Sequence, residues 1–138
     1  MSDNERNIAE FRANGGKVGG PLDAFTLLLL TSTGAKTGQQ RVNPLGYFDI
    51  DGRIYIVGSA AGRENNPAWV LNIRARPQVD VEIGANPITA ATAIELPPAE
   101  REHIFTIVKQ RAPGFADYEK ATDRMIPVFE VKMPIASH

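Results

Sequence analysis

Short connections between strand-like runs constrain the fold of this chain most. Residues 42–50 and 53–57 both have strand-like patterns, and only Asp51 and Gly52 separate them, a dipeptide that favours a two-residue hairpin turn. Residues 79–83 and 88–95 alternate apolar and polar side chains and are joined too closely for the crossover that parallel strands need. We therefore predict an α+β fold, with a mostly antiparallel sheet closed into a small barrel and helices over its openings.

The sequence also predicts helices before, between and after these strands. Ser2 with Glu5 three residues later forms a capping box, and the Gly15-Gly16 pair is expected to end the helix that follows. Asn66 is expected to cap a second helix, with Pro67 in its first turn. Two further helical segments are predicted at residues 98–112 and 115–124, and a last strand at residues 126–132.

The length of the chain fits a single domain. It has 138 residues, enough to bury a core. We expect residues 1–20 to form an N-terminal helix and a Gly-rich connector, and residues 21–138 to form one barrel domain. There is no cysteine, which excludes disulfides, thiol catalysis and thiolate metal sites.

Charge and hydropathy exclude several classes of partner. The net charge is −1, so no broad basic field would recruit nucleic acid or an acidic membrane. The first residues are polar and no apolar run approaches a membrane span, so we expect a cytoplasmic protein without a stable membrane anchor. Three roles stay open for the N-terminal helix: it could pack on the core, cover a site, or make peripheral contact with a membrane. His103 and His138 have no neighbour at ligand spacing, so no metal site is expected.

The loop at residues 31–41 is the main candidate for a binding site. Gly34 and Gly38 permit close approach of the backbone to a ligand, and Lys36 and Arg41 suit a phosphate or a carboxylate. A solvated hairpin loop is the alternative. A Walker A loop is excluded because Lys36 precedes Gly38 and a strand follows.

Small residues suggest space beside two strands. Pro44 lacks a backbone donor, so the first half of its strand is predicted to be an edge or a bulge. Gly46 removes a side chain from the same region and leaves room for something flat. Residues 58–62 form a second run of small residues at a strand end.

A series of motifs along nearly the whole chain stands in the order of a known family. The motifs are Leu27-Leu28-Leu29-Leu30-Thr31, Gly34-Ala35-Lys36-Thr37-Gly38, Arg41-Val42-Asn43-Pro44-Leu45, Asn66-Pro67-Ala68-Trp69 with Asn72, Arg76-Pro77, and Asp117-Tyr118 with Thr122-Asp123-Arg124-Met125-Ile126-Pro127-Val128. Together they resemble the deazaflavin-dependent nitroreductase family. The resemblance implies a split β-barrel like that of FMN-binding pyridoxamine-phosphate oxidases. It also implies coenzyme F420, an 8-hydroxy-5-deazaflavin, and hydride transfer from its reduced form to quinones, nitroaromatics or other electron-poor unsaturated compounds.

The same resemblance implies a set of site residues. The positions implied for the cofactor are Ala35, Lys36, Thr37, Arg41, Val42, Asn43, Pro44, Leu45, Gly46, Val57, Gly58, Ser59, Ala60, Ala68, Trp69, Asn72 and Tyr118. Residues 35–41 would hold the anionic tail, residues 42–46 would run beneath the deazaflavin ring, and residues 57–60 would line another side. Ala68, Trp69 and Asn72 would face the pyrimidine end, although Trp69 taken alone fits a core position. Tyr118 and Ser59 are the candidate proton donors, with Tyr118 over the substrate.

Three departures from the family pattern bear on activity. Ala60 stands where many relatives have a lysine, although Arg63 lies nearby; Gly46 often has an aromatic counterpart; and Phe115 replaces a tyrosine found in some relatives. Two other functions therefore stay open: a non-catalytic F420 carrier and an FMN-dependent oxidase on the same barrel. The partner expected for the reductase is a small-molecule electron acceptor, and neither its identity nor the oligomeric state follows from the sequence.

Overall fold

The computed structural model describes residues 3–15, 26–59, 65–84 and 86–134. Six antiparallel strands close into a barrel in the order β1-β2-β3-β6-β5-β4. The strands are β1 (Leu27–Thr33), β2 (Gln40–Ile50), β3 (Arg53–Val57), β4 (Gln78–Ile83), β5 (Asn86–Glu95) and β6 (Val128–Lys132). The helices are α1 (Asp3–Ala13), α2 (Ala68–Ala75), α3 (Pro98–Arg111) and α4 (Gly114–Lys120). The predicted antiparallel barrel with flanking helices is confirmed.

The hairpin between β2 and β3 has the predicted turn. Asp51 and Gly52 have φ angles of 54° and 80°, and two successive positive φ angles are the mark of a type I′ turn. The Gly52 N–H donates to Asp49 Oδ1 at 3.1 Å. This turn sets the register in which Ile50 pairs with Arg53.

Strand β2 changes partner halfway along its length. Its first half, to Gly46, pairs with β1, and its second half, from Tyr47, pairs with β3. Among the described strands, nothing pairs with the other edge of the first half. Pro44 lies in that half, opposite Leu29, so of the predicted edge or bulge, the pairing of the described strands shows an edge.

Strand β1 is buried on both faces. Leu28 and Leu30 pack inside the barrel with Ile56 and Phe129, whereas Leu27 and Leu29 pack outside it against α1. All four leucines are at most 4% exposed. A strand covered on both faces needs a continuous apolar run rather than alternation, which accounts for the sequence of β1.

Helix α1 packs on the outside of the barrel. Phe11 is fully buried against Leu27 and Leu29. Arg12 donates to Glu82 from Nε at 3.3 Å and from Nη2 at 2.8 Å, and these hydrogen bonds raise the pKa of the Arg12 guanidinium. Because exposed ion pairs contribute only about 0–1 kcal/mol, Phe11 is the main anchor. Ser2 of the predicted capping box and Gly16 lie outside the described residues.

The predicted cap of α2 is wrong. Pro67 occupies the N-cap position, and no side chain caps the helix. The Asn66 Oδ1 atom instead accepts a hydrogen bond from Arg124 Nη1 at 2.8 Å. A guanidinium is a charged donor and makes a stronger hydrogen bond than a backbone N–H, so it takes the oxygen that the cap would have used.

Helix α3 follows the sequence closely, whereas α4 ends at Lys120 instead of at the predicted residue 124. Helix α3 begins at the predicted Pro97-Pro98 pair, with Pro97 as N-cap. It packs with α4 over a second apolar cluster that includes Phe105, Val108 and Phe115. Within the ranges described, no helix combines the length and the apolar character needed to cross a membrane.

Candidate active site

The loop between β1 and β2 is built around its two glycines. The Gly34 N–H donates to the Gln39 carbonyl at 2.7 Å, and the Gly38 N–H donates to the Gly34 carbonyl at 2.9 Å. Gly38 has a φ angle of +71°, and a Cβ on Gly34 would lie 2.7 Å from Thr37 Oγ1. The positive φ angle accounts for glycine at position 38, and the close packing of the turn favours glycine at position 34, whatever the loop binds.

Asn72 attaches this loop to α2. Its Oδ1 atom accepts from the Ala35 N–H at 3.0 Å, and its Nδ2 atom donates to Ser32 Oγ at 3.3 Å. Asn72 and Ser32 are both buried. The side-chain amide is thus engaged by the protein at both ends, and its structural effect is to set the position of the loop.

A cavity of about 600 Å³ lies between this loop, β2, α1 and α2. Lys36 and Arg41 are exposed at its wall, and neither forms an ion pair with another described residue. Ile8 of α1 and Leu71 of α2 add apolar surface. Eight positions implied for the cofactor line this cation cavity: Ala35, Lys36, Thr37, Arg41, Val42, Asn43, Ala68 and Asn72.

A second cavity, of about 550 Å³, has aromatic walls. The Phe115 ring contacts Phe48 at 5.6 Å and Tyr118 at 5.4 Å between centroids, both edge to face. Gly46 and Arg111 also line this aromatic cavity, and Arg111 Nη1 donates to the Asp49 carbonyl at 2.6 Å. Aromatic walls suit a planar ligand, and Asp49 and Arg111 add polar groups to the lining.

The two cavities lie at the two ends of the first half of β2. Val42 and Asn43 line the cation cavity, and Gly46 lines the aromatic one. At ~3.3 Å per residue, Asn43 and Gly46 are about 10 Å apart along the strand. The arrangement fits an elongated ligand with an anionic end and a planar end.

Several positions implied for the cofactor line neither cavity. They are Pro44, Leu45, Val57, Gly58, Ser59 and Trp69. Trp69 is 5% exposed in the barrel core, edge to face with Phe129 at 5.9 Å. Gly58 is closely packed, since a Cβ there would lie 2.8 Å from Val70 Cγ2 and 2.9 Å from Pro127 Cγ. Ala60 and Arg63 lie outside the described residues.

Arg124 holds the segment that contains Ser59. Its Nη2 atom donates to the Ser59 carbonyl at 2.7 Å and its Nη1 atom donates to Asn66 Oδ1 at 2.8 Å. Burial lowers the pKa of this guanidinium. The sequence assigned no role to Arg124, because nothing in the local pattern indicates a partner 65 residues away.

Residues of the aromatic cavity were also missed by sequence reasoning. Phe48, Tyr47 and Arg111 line it together with Tyr118. The alternation of residues 42–50 predicts which face Phe48 occupies, but no sequence signal joins that strand to α4. His103 is exposed on α3, away from both cavities described here.

Comparison with known proteins agrees with this geometry. Residues 5–133 match the family model described as F420H(2)-dependent quinone reductase. An F420H(2)-dependent quinone reductase of Mycobacterium tuberculosis (strain H37Rv) is 34% identical over 124 residues, covering 87% of this chain and 83% of the relative. A solved F420-H2 dependent reductase is 39% identical, with a TM-score of 0.69 over 77% of this chain and 93% of that one. A putative pyridoxamine 5′-phosphate oxidase of Listeria innocua shares the fold, at 15% identity and a TM-score of 0.55 over 81% of this chain and 86% of that one. The predicted split-barrel fold and the predicted resemblance are confirmed, and the chain belongs to the F420H(2)-dependent quinone reductase family.

Proposed function

We propose that this chain binds coenzyme F420 along the edge of β2 at residues 43–46 and reduces a quinone or another electron-poor unsaturated acceptor. The observation that carries this proposal is the pairing of a cation cavity with an aromatic cavity at the two ends of that edge. When bound, the reduced deazaflavin supplies the hydride. The protein supplies binding, orientation and electrostatics.

The cation cavity fits the anionic tail of the cofactor. Lys36 and Arg41 offer two exposed cations, and Glu5 is the one carboxylate among the described residues that line the cavity. A charge-assisted hydrogen bond contributes about 1.5–3 kcal/mol. The first turn of α2 begins at Ala68 on the same cavity, where free backbone N–H groups favour negative charge.

The edge of β2 at residues 43–46 fits a flat ring. Pro44 has no N–H to leave unsatisfied there, and Gly46 presents no side chain. Pro44 and Gly46 therefore leave room for a flat ligand between the two cavities. The Trp69 side chain packs from α2 into the barrel core, so it anchors that helix and does not line either cavity.

The aromatic cavity fits the acceptor. Tyr118 places a phenol among the rings of Phe48 and Phe115, so it is the better candidate to donate a proton to a reduced acceptor. Ser59 is the second candidate. Its carbonyl is held by Arg124, which orients the residue but leaves the hydroxyl without a described catalytic partner.

One set of titrations tests this function against its alternatives. The purified protein is titrated with F420 and with FMN, and absorbance is followed while reduced F420 is mixed with menadione. We expect F420 to bind, FMN to bind much more weakly, and menadione to be reduced. Binding of F420 without oxidation by menadione, or by any nitroaromatic tested beside it, would indicate a carrier. A stoichiometric FMN complex that ignores F420 would indicate an oxidase.

A further inference from the structure

We propose that Glu119, held by Arg101 and Lys109, is a positioning residue that sets where Tyr118 lies in the aromatic cavity. The kinetic consequence rests on the proposed function, but the structural consequence does not. The proposal starts from α4, the short helix that carries Phe115, Tyr118 and Glu119.

Helix α4 depends on tertiary contacts for its position. It has seven residues and no side-chain cap, and isolated helices of this length are not stable in water. Phe115 attaches one side of it to the aromatic cluster. Glu119 lies one turn further along, about 40° around the helix axis from Phe115, and attaches α4 to α3. These two contacts together set the orientation of the helix.

Both carboxylate oxygens of Glu119 are used. Oε1 accepts from Lys109 Nζ at 3.0 Å, and Oε2 lies 3.6 Å from Arg101 Nη2. The two cations belong to α3 and lie on different turns of it. A carboxylate that contacts two separate cations cannot rotate freely. These contacts therefore restrict rotation of the helix about its own axis.

Arg101 is a rigid anchor for this contact. It is 4% exposed, and its Nε atom donates to the Ile126 carbonyl at 2.9 Å. Its guanidinium carbon lies 4.5 Å from the centroid of the Phe105 ring, and Nη1 also pairs with Glu102. A buried cation needs paired counter-charge, and Glu119 supplies part of it beside Glu102.

The contacts of Glu119 with α3 also determine the position of Tyr118. It immediately precedes Glu119, so the two side chains leave the helix about 100° apart. Fixing the carboxylate on α3 therefore fixes the direction in which the phenol points. A misplacement on the order of 1 Å in a reacting complex can cost roughly 100-fold in rate, so a modest rotation of α4 is sufficient to affect the acceptor.

The test compares Glu119→Gln with Glu95→Gln. Glutamine keeps the shape of the side chain and removes its charge. Glu95 forms a two-point ion pair with Arg74, at 2.9 and 2.8 Å, away from both cavities. The chain has three tyrosines, so labelling with 3-fluorotyrosine gives three fluorine resonances, and Tyr118→Phe assigns one of them.

We expect Glu119→Gln to shift or broaden the Tyr118 resonance more than the other two, and Glu95→Gln to move none. With reduced F420, kcat/KM for menadione should fall about ten-fold in Glu119→Gln, since a smaller displacement costs less than the roughly 100-fold in rate expected for about 1 Å, while F420 affinity stays within about two-fold. Glu119→Asp, which keeps the charge, should fall between wild type and Glu119→Gln.

An unmoved Tyr118 resonance in Glu119→Gln, or equal effects in Glu95→Gln, would overturn the proposal. Should Glu119→Gln fail to fold, Lys109→Met removes one contact and leaves Arg101 paired with Glu119, and the same comparison applies. A wild-type protein that does not oxidise reduced F420 contradicts the proposed function alone, since the fluorine measurement needs no turnover.

Discussion

The side chain of Asn72 accepts a hydrogen bond from the backbone N–H of Ala35 at 3.0 Å. This bond joins α2 to the loop between β1 and β2, and it lies one residue before Lys36. The position of the cation is therefore set by a helix that lies far from it in sequence.

Asn72→Ala should lower both stability and cofactor affinity. It leaves the buried Ser32 hydroxyl and the Ala35 N–H without their partner, a cost of about 1–3 kcal/mol. Denaturant unfolding and calorimetric titration with F420 measure the two effects. Asn86→Ala, at an exposed asparagine of β5, serves as the control. Lost stability with unchanged affinity would show that the bond does not set the loop for the cofactor.

Lys36→Ala and Arg41→Ala should each weaken F420 binding by roughly ten- to a hundred-fold, since each removes a charge-assisted hydrogen bond of about 1.5–3 kcal/mol. Arg41→Lys should also weaken binding, because an ammonium cannot reproduce a forked contact. Both side chains are exposed, so the melting temperature should barely change. Arg53→Ala, which removes one exposed cation outside the cation cavity, is the control. Unaltered F420 affinity in both alanine variants would show that the loop is a solvated hairpin without a role in cofactor binding.

Gly58→Ala and Gly114→Ala should have opposite effects on stability. A Cβ on Gly58 would overlap Val70 and Pro127, whereas a Cβ on Gly114 meets nothing within 4 Å. We expect a loss of about 1–3 kcal/mol at Gly58 from overpacking. At Gly114 we expect the free energy of unfolding to rise by about 0.4–1 kcal/mol, because alanine restricts the unfolded chain more than glycine does. Thermal melting of both variants is the measurement, and equal effects would contradict the packing at Gly58.

Phe11→Ala should release α1 while the barrel stays folded. Phe11 is fully buried, and losing such a ring costs about 3–5 kcal/mol. Arg12→Ala removes only an exposed ion pair and should change little. Hydrogen exchange of the α1 amides distinguishes the two variants. Equal protection of α1 in both variants would show that Phe11 is not its anchor.

Wild-type protein should not bind lipid vesicles stably. The main apolar side chain of α1 is used on the barrel, and Ile8 alone offers little area for membrane contact. Sedimentation with vesicles of neutral and of anionic lipid measures this. Strong binding that disappears when residues 1–14 are deleted would contradict the expectation.

The sequence by itself determined the elements and the chemistry of single segments. The Asp51-Gly52 turn, the edge at Pro44 and the unbroken leucine run of β1 follow from backbone sterics and from the burial of neighbouring faces. The cations Lys36 and Arg41 could likewise be assigned to one exposed loop, because their spacing and the glycines beside them are local features.

Only the tertiary structure decided which distant side chains meet. Asn66 accepts from Arg124, 58 residues away, instead of capping α2, and Phe48 meets Phe115 across the aromatic cavity. Arg101 is buried on a helix whose sequence presents it as an ordinary surface cation. These contacts depend on how closure of the barrel places α2, α3 and α4 against β2 and β6. The free energy of such packing is a property of the whole core, and no segment carries it alone.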